Sequence, residues 1–294
     1  LLNGGLRMDH YRLNVSGPAG GRAPNNYPAY DLQRSDTLWN YQLGVVYKPA
    51  ANGSIYASLG TSSRPGGSTL GNGSEDLTVT TDALADLQPE KTRSIELGTK
   101  WELLDNRLNL SAAVFRTEND KQISYDAVTG IYTQYGKTRV QGIELAAVGQ
   151  ITNFWQVSAG IAKTQTKALG QNSLGSTGAV TNTDSVRWSP DLTATAWTSY
   201  TWGAFTLGGG ARYVSDQKRV VTAGTALNVS NMPKIPSYWV TDLMAAYKVN
   251  RNVNLRLNIY NLFDKEYIST LNNNGARMVL GAPRSASLTA EFLF

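Results

Sequence analysis

The chain has 294 residues, a formal net charge of +5, 28 Gly, one His and no Cys, and only 17 % of its positions are charged. Without cysteine there is no disulfide, thiolate metal site or cysteine nucleophile, and the single His10 excludes sites that need two imidazoles, such as HExxH. The longest apolar runs, Ala112–Phe115 and Leu243–Tyr247, reach four or five residues, far short of the ~20 a spanning helix requires.

Read from the N-terminus, the recurring signal is period two. In 91–104, Ile95, Leu97, Thr99, Trp101 and Leu103 oppose Glu96, Gly98, Lys100 and Glu102. Further on, Phe205, Leu207, Gly209, Ala211 and Tyr213 oppose Thr206, Gly208, Gly210 and Arg212. Trp239, Leu243, Ala245 and Tyr247 alternate with Asp242, Met244, Ala246 and Lys248, and Val253, Leu255, Leu257 and Ile259 with Asn254, Arg256, Asn258 and Tyr260. At the C-terminus, Ala286, Leu288, Ala290, Phe292 and Phe294 face away from Ser285, Ser287, Thr289 and Glu291. Such alternation predicts strands with one apolar and one polar face. Twelve are predicted, over 4–15, 36–49, 53–63, 91–104, 107–125, 131–150, 153–168, 186–202, 204–222, 236–249, 253–268 and 284–294. The run Gly208–Gly210 weakens its strand and predicts a bulge or a close approach by other backbone.

The connections alternate in length. Short turns at Ala51–Asn52, Asp105–Asn106, Ile151–Thr152, Gly203 and Arg251 are followed by long ones over 64–90, 169–185, 223–235 and 269–283, with another over 14–35. The exception is 126–130, a short tip on two long strands. Short turns at one end and long loops at the other are the pattern of an outer-membrane β-barrel. A soluble sandwich would bury its apolar faces, and the polar faces here carry charges that a dry core would penalise. Trp239 and Tyr247 share the apolar face eight residues apart, roughly 20 Å along the membrane normal at a tilt of ~40°, against ~25 Å between interfacial girdles. The expected fold is all-β, a transmembrane antiparallel barrel wall of about twelve strands occupying 1–294. Its apolar face meets lipid and its polar face a wet or plugged lumen. The start at Leu1 reads as the C-terminal piece of something longer.

Several stretches carry a family resemblance. Asn261-Leu262-Phe263-Asp264-Lys265-Glu266-Tyr267 resembles the NLFDKxY box of TonB-dependent outer-membrane receptors, and Gly281-Ala282-Pro283-Arg284-Ser285 leads into a strand similar to their last one. Leu87-Gln88-Pro89-Glu90-Lys91, Ile95–Lys100, Phe115-Arg116-Thr117 and Lys137–Glu144 also match. Among these receptors, those for ferric siderophores, catecholates in particular, look nearest. The resemblance implies a barrel of twenty-two strands, of which these would be the last twelve. It also implies a lumenal plug and a TonB-engaging box, neither recognisable in this sequence. TonB would therefore act through the missing N-terminal part. A self-contained twelve-stranded passive channel is the alternative. The implied partners are outer-membrane lipid, lipopolysaccharide and the barrel-assembly machinery, with no nucleic acid, since the basic groups Lys91/Arg93, Lys137/Arg139 and Lys218/Arg219 are short and scattered. No cofactor is implied; a ferric siderophore would be cargo.

An anionic, often aromatic chelate calls for cations and aromatic faces at the long-loop end. Arg64, Tyr125, Tyr132, Tyr135, Arg187, Trp188, Lys218, Arg219 and Arg277 answer that description, though each would otherwise be a solvated loop residue or a contact to anionic lipid heads. On the polar face, Glu96, Lys100, Glu102, Glu144, Arg212, Asp242, Lys248, Arg256 and Glu291 would hold a plug or pair with one another across strands. Phe294 would serve as the assembly signal or anchor its strand at the interface. No enzyme is expected: His10 has no GxSxG partner, Gly71–Ser74 lacks a nucleotide-site context, and Asp82 with Asp86 is a weak carboxylate pair.

Overall fold

The computed structural model describes every residue except 23–24, 28, 67–87, 127–130, 173–179, 184–187, 219–231, 233, 272–276 and 294. Twelve long strands carry the fold: β1 (Leu2–Gly17), β2 (Tyr30–Ala50), β3 (Gly53–Arg64), β4 (Glu90–Leu103), β5 (Leu108–Asp126), β6 (Ile131–Gln150), β7 (Trp155–Asn172), β8 (Leu192–Trp202), β9 (Phe205–Val214), β10 (Tyr238–Lys248), β11 (Val253–Tyr260) and β12 (Ser285–Phe292). Each pairs antiparallel with its neighbours in chain order, so the sheet is a meander whose rows can be read across all twelve. Val180–Thr183 adds to β7, and short hairpins pair Gly20–Arg22 with Asn25–Tyr27, Gln217–Lys218 with Lys234–Ile235, and Ile268–Leu271 with Met278–Leu280. β1 and β12 end the order, and no ladder joins them among the described residues.

Strand lengths report the membrane. β5 and β6 are 19 and 20 residues, roughly 60 Å of extended chain, nearly twice what a tilted strand needs to cross a ~25 Å apolar band. Both therefore project well beyond the band at their long-loop end. At the other end the turns are tight: Leu104, Asp105 and Asn106 take φ of 54°, 56° and 64°, and Gly203 takes 60°.

Four predicted strands run too long, all at the long-loop end. The one expected from 186 begins at Leu192, because Trp188 takes φ 58° and Pro190 cannot donate to a ladder. The one expected to 222 stops at Val214, where the Ser215 hydroxyl accepts the N–H groups of Asp191 and Leu192 at 3.0 and 3.1 Å. The strand expected from 236 starts after Pro236, at Tyr238. The one expected to 268 ends at Tyr260, since Asn261 turns to φ 51°.

The register confirms the division of faces. On one face Leu255 lies beside Ala290, Leu257 beside Leu288 and Val253 beside Phe292, and continuing across, Tyr247 meets Phe205 while Trp239 meets Tyr213. These side chains are open rather than packed in a core: Leu288 is 74 % exposed and Phe292 60 %. Only five apolar residues, Leu38, Leu108, Ile235, Val240 and Leu271, are buried among those described. A twelve-strand sheet with so small a core needs an apolar solvent on its greasy face. Aromatic pairs mark the two borders of that face: Tyr213–Trp239 at 4.7 Å between centroids near the long loops, and Phe205–Tyr247 at 4.6 Å with Trp202 at 6.4 Å from Phe205 near the short turns. The eight-residue spacing recurs on β2, where Trp39 and Tyr47 are both exposed.

The glycine run makes no bulge. Both ladders of β9 run unbroken from Phe205 to Val214. Instead Trp197 lies on the polar face over this run, and a Cβ on Gly210 would collide with its ring and with the Ala196 carbonyl.

Candidate functional site

Seven adjacent strands, β3 to β9, contribute to one cavity of about 510 Å³ on the polar face. Seven strands laid flat span roughly 29 Å, too far for one cavity of that size to touch both ends. The wall is therefore curved with its polar face concave. Into this space point Tyr56, Glu96, Lys100, Glu144 and Arg212, four of the nine residues singled out for that face plus one that was not. The Tyr56 hydroxyl donates to Glu96 Oε1 at 2.5 Å, the Lys100 ammonium stands 5.4 Å from the Tyr56 ring centroid, and Arg212 Nη2 donates to the Tyr267 hydroxyl at 3.2 Å. Gly98 makes room for the Tyr56 ring, which a Cβ there would strike.

A second cavity of about 560 Å³, nearer the short turns, gathers Lys248, Arg256 and Glu291, with Asn254 Nδ2 donating to Glu291 at 3.1 Å. Glu102 stands by the β2–β3 turn, its backbone carbonyl taking the Asn52 amide at 2.9 Å. Asp242 is committed elsewhere, accepting the Asn261 backbone N–H at 2.8 Å. None of the nine forms an ion pair among the described residues. They do not neutralise one another across strands, so the concave face keeps mixed, hydrogen-bonding charge.

The long-loop residues are less concentrated. Arg64 ends β3 on the polar face and is ion-paired with Glu90 at 2.6 Å. The Trp188 N–H donates to the Lys218 carbonyl at 2.9 Å, which brings these two together. Lys218 is exposed, with its ammonium 3.9 Å from Asp216. Arg277 is exposed beside the Met278–Leu280 strand. Tyr125 and Tyr132 are register partners and Tyr135 lies on β6, but their side chains are outside the described residues. So are Arg187, Arg219, Phe294, Gly71–Ser74, Asp82 and Asp86. His10 is a strand residue with Nδ1 at 3.2 Å from the Thr37 hydroxyl.

Sequence reasoning missed Tyr56, Trp197 and Tyr267 on the concave face. Counting parity from Ala194 and Ala196 would have put Trp197 on the polar side.

The NLFDKEY stretch is structural. Asn261, buried, donates its amide to the Lys265 and Ala282 carbonyls at 3.0 Å each and accepts the Lys265 N–H at 2.8 Å, while Asp264 accepts the Arg284 N–H at 2.8 Å. It ties the end of β11 to the start of β12.

Comparison with known proteins agrees with this architecture. The chain is 33 % identical over 308 residues to the catecholate siderophore receptor Fiu of Escherichia coli O157:H7, covering 100 % of this chain and 39 % of the relative. It is 38 % identical over 301 residues to the probable TonB-dependent receptor BfrD of Bordetella pertussis, of which it covers 38 %. The crystal structure of the ferric-catecholate import receptor Fiu from E. coli K12, closed form, superposes with a TM-score of 0.81 at 31 % identity, over 100 % of this chain and 42 % of that one. The chain thus spans well under half the length of these relatives. A family model described as TonB dependent receptor-like, beta-barrel, matches residues 1–262, and the chain belongs to that family of receptors.

Proposed function

We propose that this chain is barrel wall of an outer-membrane receptor for TonB-dependent import of a ferric siderophore, of the catecholate type. The observation that carries the reading is the division of the wall into an apolar convex face and a concave face with unneutralised Glu96, Lys100, Glu144 and Arg212. A lumen of that kind suits a hydrogen-bonded plug that must be released. The likeness to catecholate receptors over the whole chain supports the cargo. In this reading the plug and the TonB contact come from residues beyond 1–294, and anionic lipid surrounds the upper wall. Phe294 engages the assembly machinery, and the receptor does no chemistry on its cargo. The passive twelve-stranded channel has less support, because it needs β1 paired with β12.

The test is uptake of ⁵⁵Fe–catecholate complexes in iron-starved cells lacking their own catecholate receptors. Cells producing the full-length receptor that contains this wall, with its remaining strands and plug, are expected to accumulate iron only when TonB is present. Equal accumulation without TonB, or transport by residues 1–294 alone, would overturn the reading.

A further inference from the structure

Most of the wall is one side chain deep, and what little is buried gathers in one place. Of the five buried apolar residues, Ile235, Val240 and Leu271 lie at the long-loop end of β9–β12, and the buried polar side chains Ser215, Gln217 and Asn261 lie there too. Ile235 and Val240 are 1 % exposed and Leu271 is 4 % exposed. Leu38 and Leu108 are elsewhere, on β2 and at the start of β5. The driest part of the described chain is therefore outside the apolar band, at the mouth.

Three connections meet at this core, each tied to the next. From the β7–β8 connection, the Trp188 N–H donates to the Lys218 carbonyl at 2.9 Å. Asp191 and Leu192 donate to the Ser215 hydroxyl, and the Ser215 N–H donates back to the Leu192 carbonyl at 2.9 Å. In the β9–β10 connection, Gln217 and Lys218 pair with Ile235 and Lys234, and this hairpin lies against Ile268–Leu271 of the β11–β12 connection. Tyr267 pins that last connection to the wall. Its ring packs on Tyr238 at 4.4 Å between centroids, its hydroxyl accepts from Arg212 at 3.2 Å, and its carbonyl accepts the Gly281 N–H at 2.8 Å.

The upper β5–β6 projection is built otherwise. Glu118 holds Lys137 at 2.9 Å and Arg139 at 2.6 Å, and among the described residues no apolar side chain is buried there. Solvated ion pairs part cheaply. Parting the three connections would instead wet Ile235 and Leu271 and strip partners from the buried Ser215. Loops that merely touch open one at a time, whereas loops that share a core open together or stay shut.

We infer that the β7–β8, β9–β10 and β11–β12 connections are fused through Ile235, Val240 and Leu271 into one cooperative body, which stays assembled while cargo is captured and imported. This half of the mouth is fixed, and Arg212, Tyr238 and Tyr267 belong to its lumenal face. The body follows from the packing alone; its persistence during import rests on the receptor reading.

The test uses the full-length receptor in mild detergent, with hydrogen exchange read segment by segment. Leu271→Ala is expected to speed exchange about tenfold or more at 268–271 and equally at 188–192 and 215–218, in the other two connections, leaving 118–120 and 137–139 unchanged. Faster exchange confined to 268–280 would overturn the shared body. A second variant, Lys234→Cys/Thr270→Cys, leaves the core intact, and this chain has no cysteine of its own. A short bis-maleimide then joins the two hairpins. The linked receptor should take up ⁵⁵Fe–catecholate in a TonB-dependent manner at the rate of the unlinked double variant. A roughly tenfold drop on linking would show that the hairpins must separate, and would overturn the inference. Exchange needs neither cargo nor TonB, so coupled exchange in a receptor whose wild type shows no TonB-dependent uptake would sink the receptor reading and leave the shared body standing.

Discussion

The carboxylate of Asp242 on β10 accepts the backbone N–H of Asn261, 2.8 Å away at the end of β11. Asn261 is 3 % exposed and takes φ 51°, so its N–H points away from the ladder it has just left and has no water to replace the bond. Leaving a buried donor unmet costs about 1–3 kcal/mol. Asp242→Leu is therefore expected to lower the unfolding free energy in micelles by that amount, with Asp242→Asn, which keeps an acceptor oxygen, much closer to wild type. Urea titration followed by tryptophan fluorescence measures both. Equal stability of the two variants would mean that Asp242 acts only as a lumenal charge.

Two neighbouring glycines should respond differently to the same methyl group. A Cβ on Gly210 meets the Trp197 ring and the Ala196 carbonyl, whereas one on Gly209 finds its nearest atoms at 3.4 and 3.6 Å, ordinary contacts on the lipid side. Gly210→Ala should cost about 1–3 kcal/mol through overpacking and reduce the yield of heat-resistant barrel wall. Gly209→Ala should leave it unchanged. Matched losses at both positions would show that strand propensity, not the close approach of Trp197, sets the requirement.

That contrast marks how far the sequence was legible. Period two is a local property, so all twelve strands and the sorting of Leu257 from Arg256 could be read from the chain alone. The long-loop ends of β3 to β6 were read to within a residue, but those of β8 to β11 were not, because non-local groups decide them: the Ser215 hydroxyl stops β9 by capping residues 191 and 192, and Asp242 helps stop β11. The polar-face residues were legible as a set, but which of them share a cavity depends on register across seven strands. Glu96 and Arg212 lie 116 positions apart in sequence and border the same space.

The division of faces makes an asymmetric prediction at adjacent positions. Leu257 pairs with Ala245 and Leu288 between the two aromatic borders, nearer the one at the short turns, while Arg256 borders the lumenal cavity. Leu257→Arg should destabilise the membrane-inserted state by up to about 2–4 kcal/mol, the upper figure being the cost of a cation at the midplane of a barrel's lipid face. Arg256→Leu should change it by much less, since a wet lumen tolerates either residue. Refolding into lipid vesicles at graded urea gives both values, and the reverse order would invert the assignment of faces.

Above the apolar band, Glu118 accepts hydrogen bonds from Lys137 and Arg139, and these, the Lys137 bond foremost, hold its carboxyl below the ordinary glutamate value. The same contact, led by the bond to Glu118, raises the Lys137 ammonium above its usual value. A depressed carboxyl stabilises the fold above its unfolded-state pKa and loses that contribution as pH falls through the lower, folded value. A raised ammonium contributes below its unfolded-state pKa and is lost as pH rises through the folded one. The upper β5–β6 hairpin should therefore be most protected at neutral pH and open at both extremes. Hydrogen exchange of the amides of residues 118–120 and 137–139 reports this locally, where a global melt would be dominated by the band below. In Glu118→Gln, protection at neutral pH should fall toward the acid value of the wild type and cease to depend on pH across the acid range. A wild-type profile in the variant would mean the three side chains are merely neighbours.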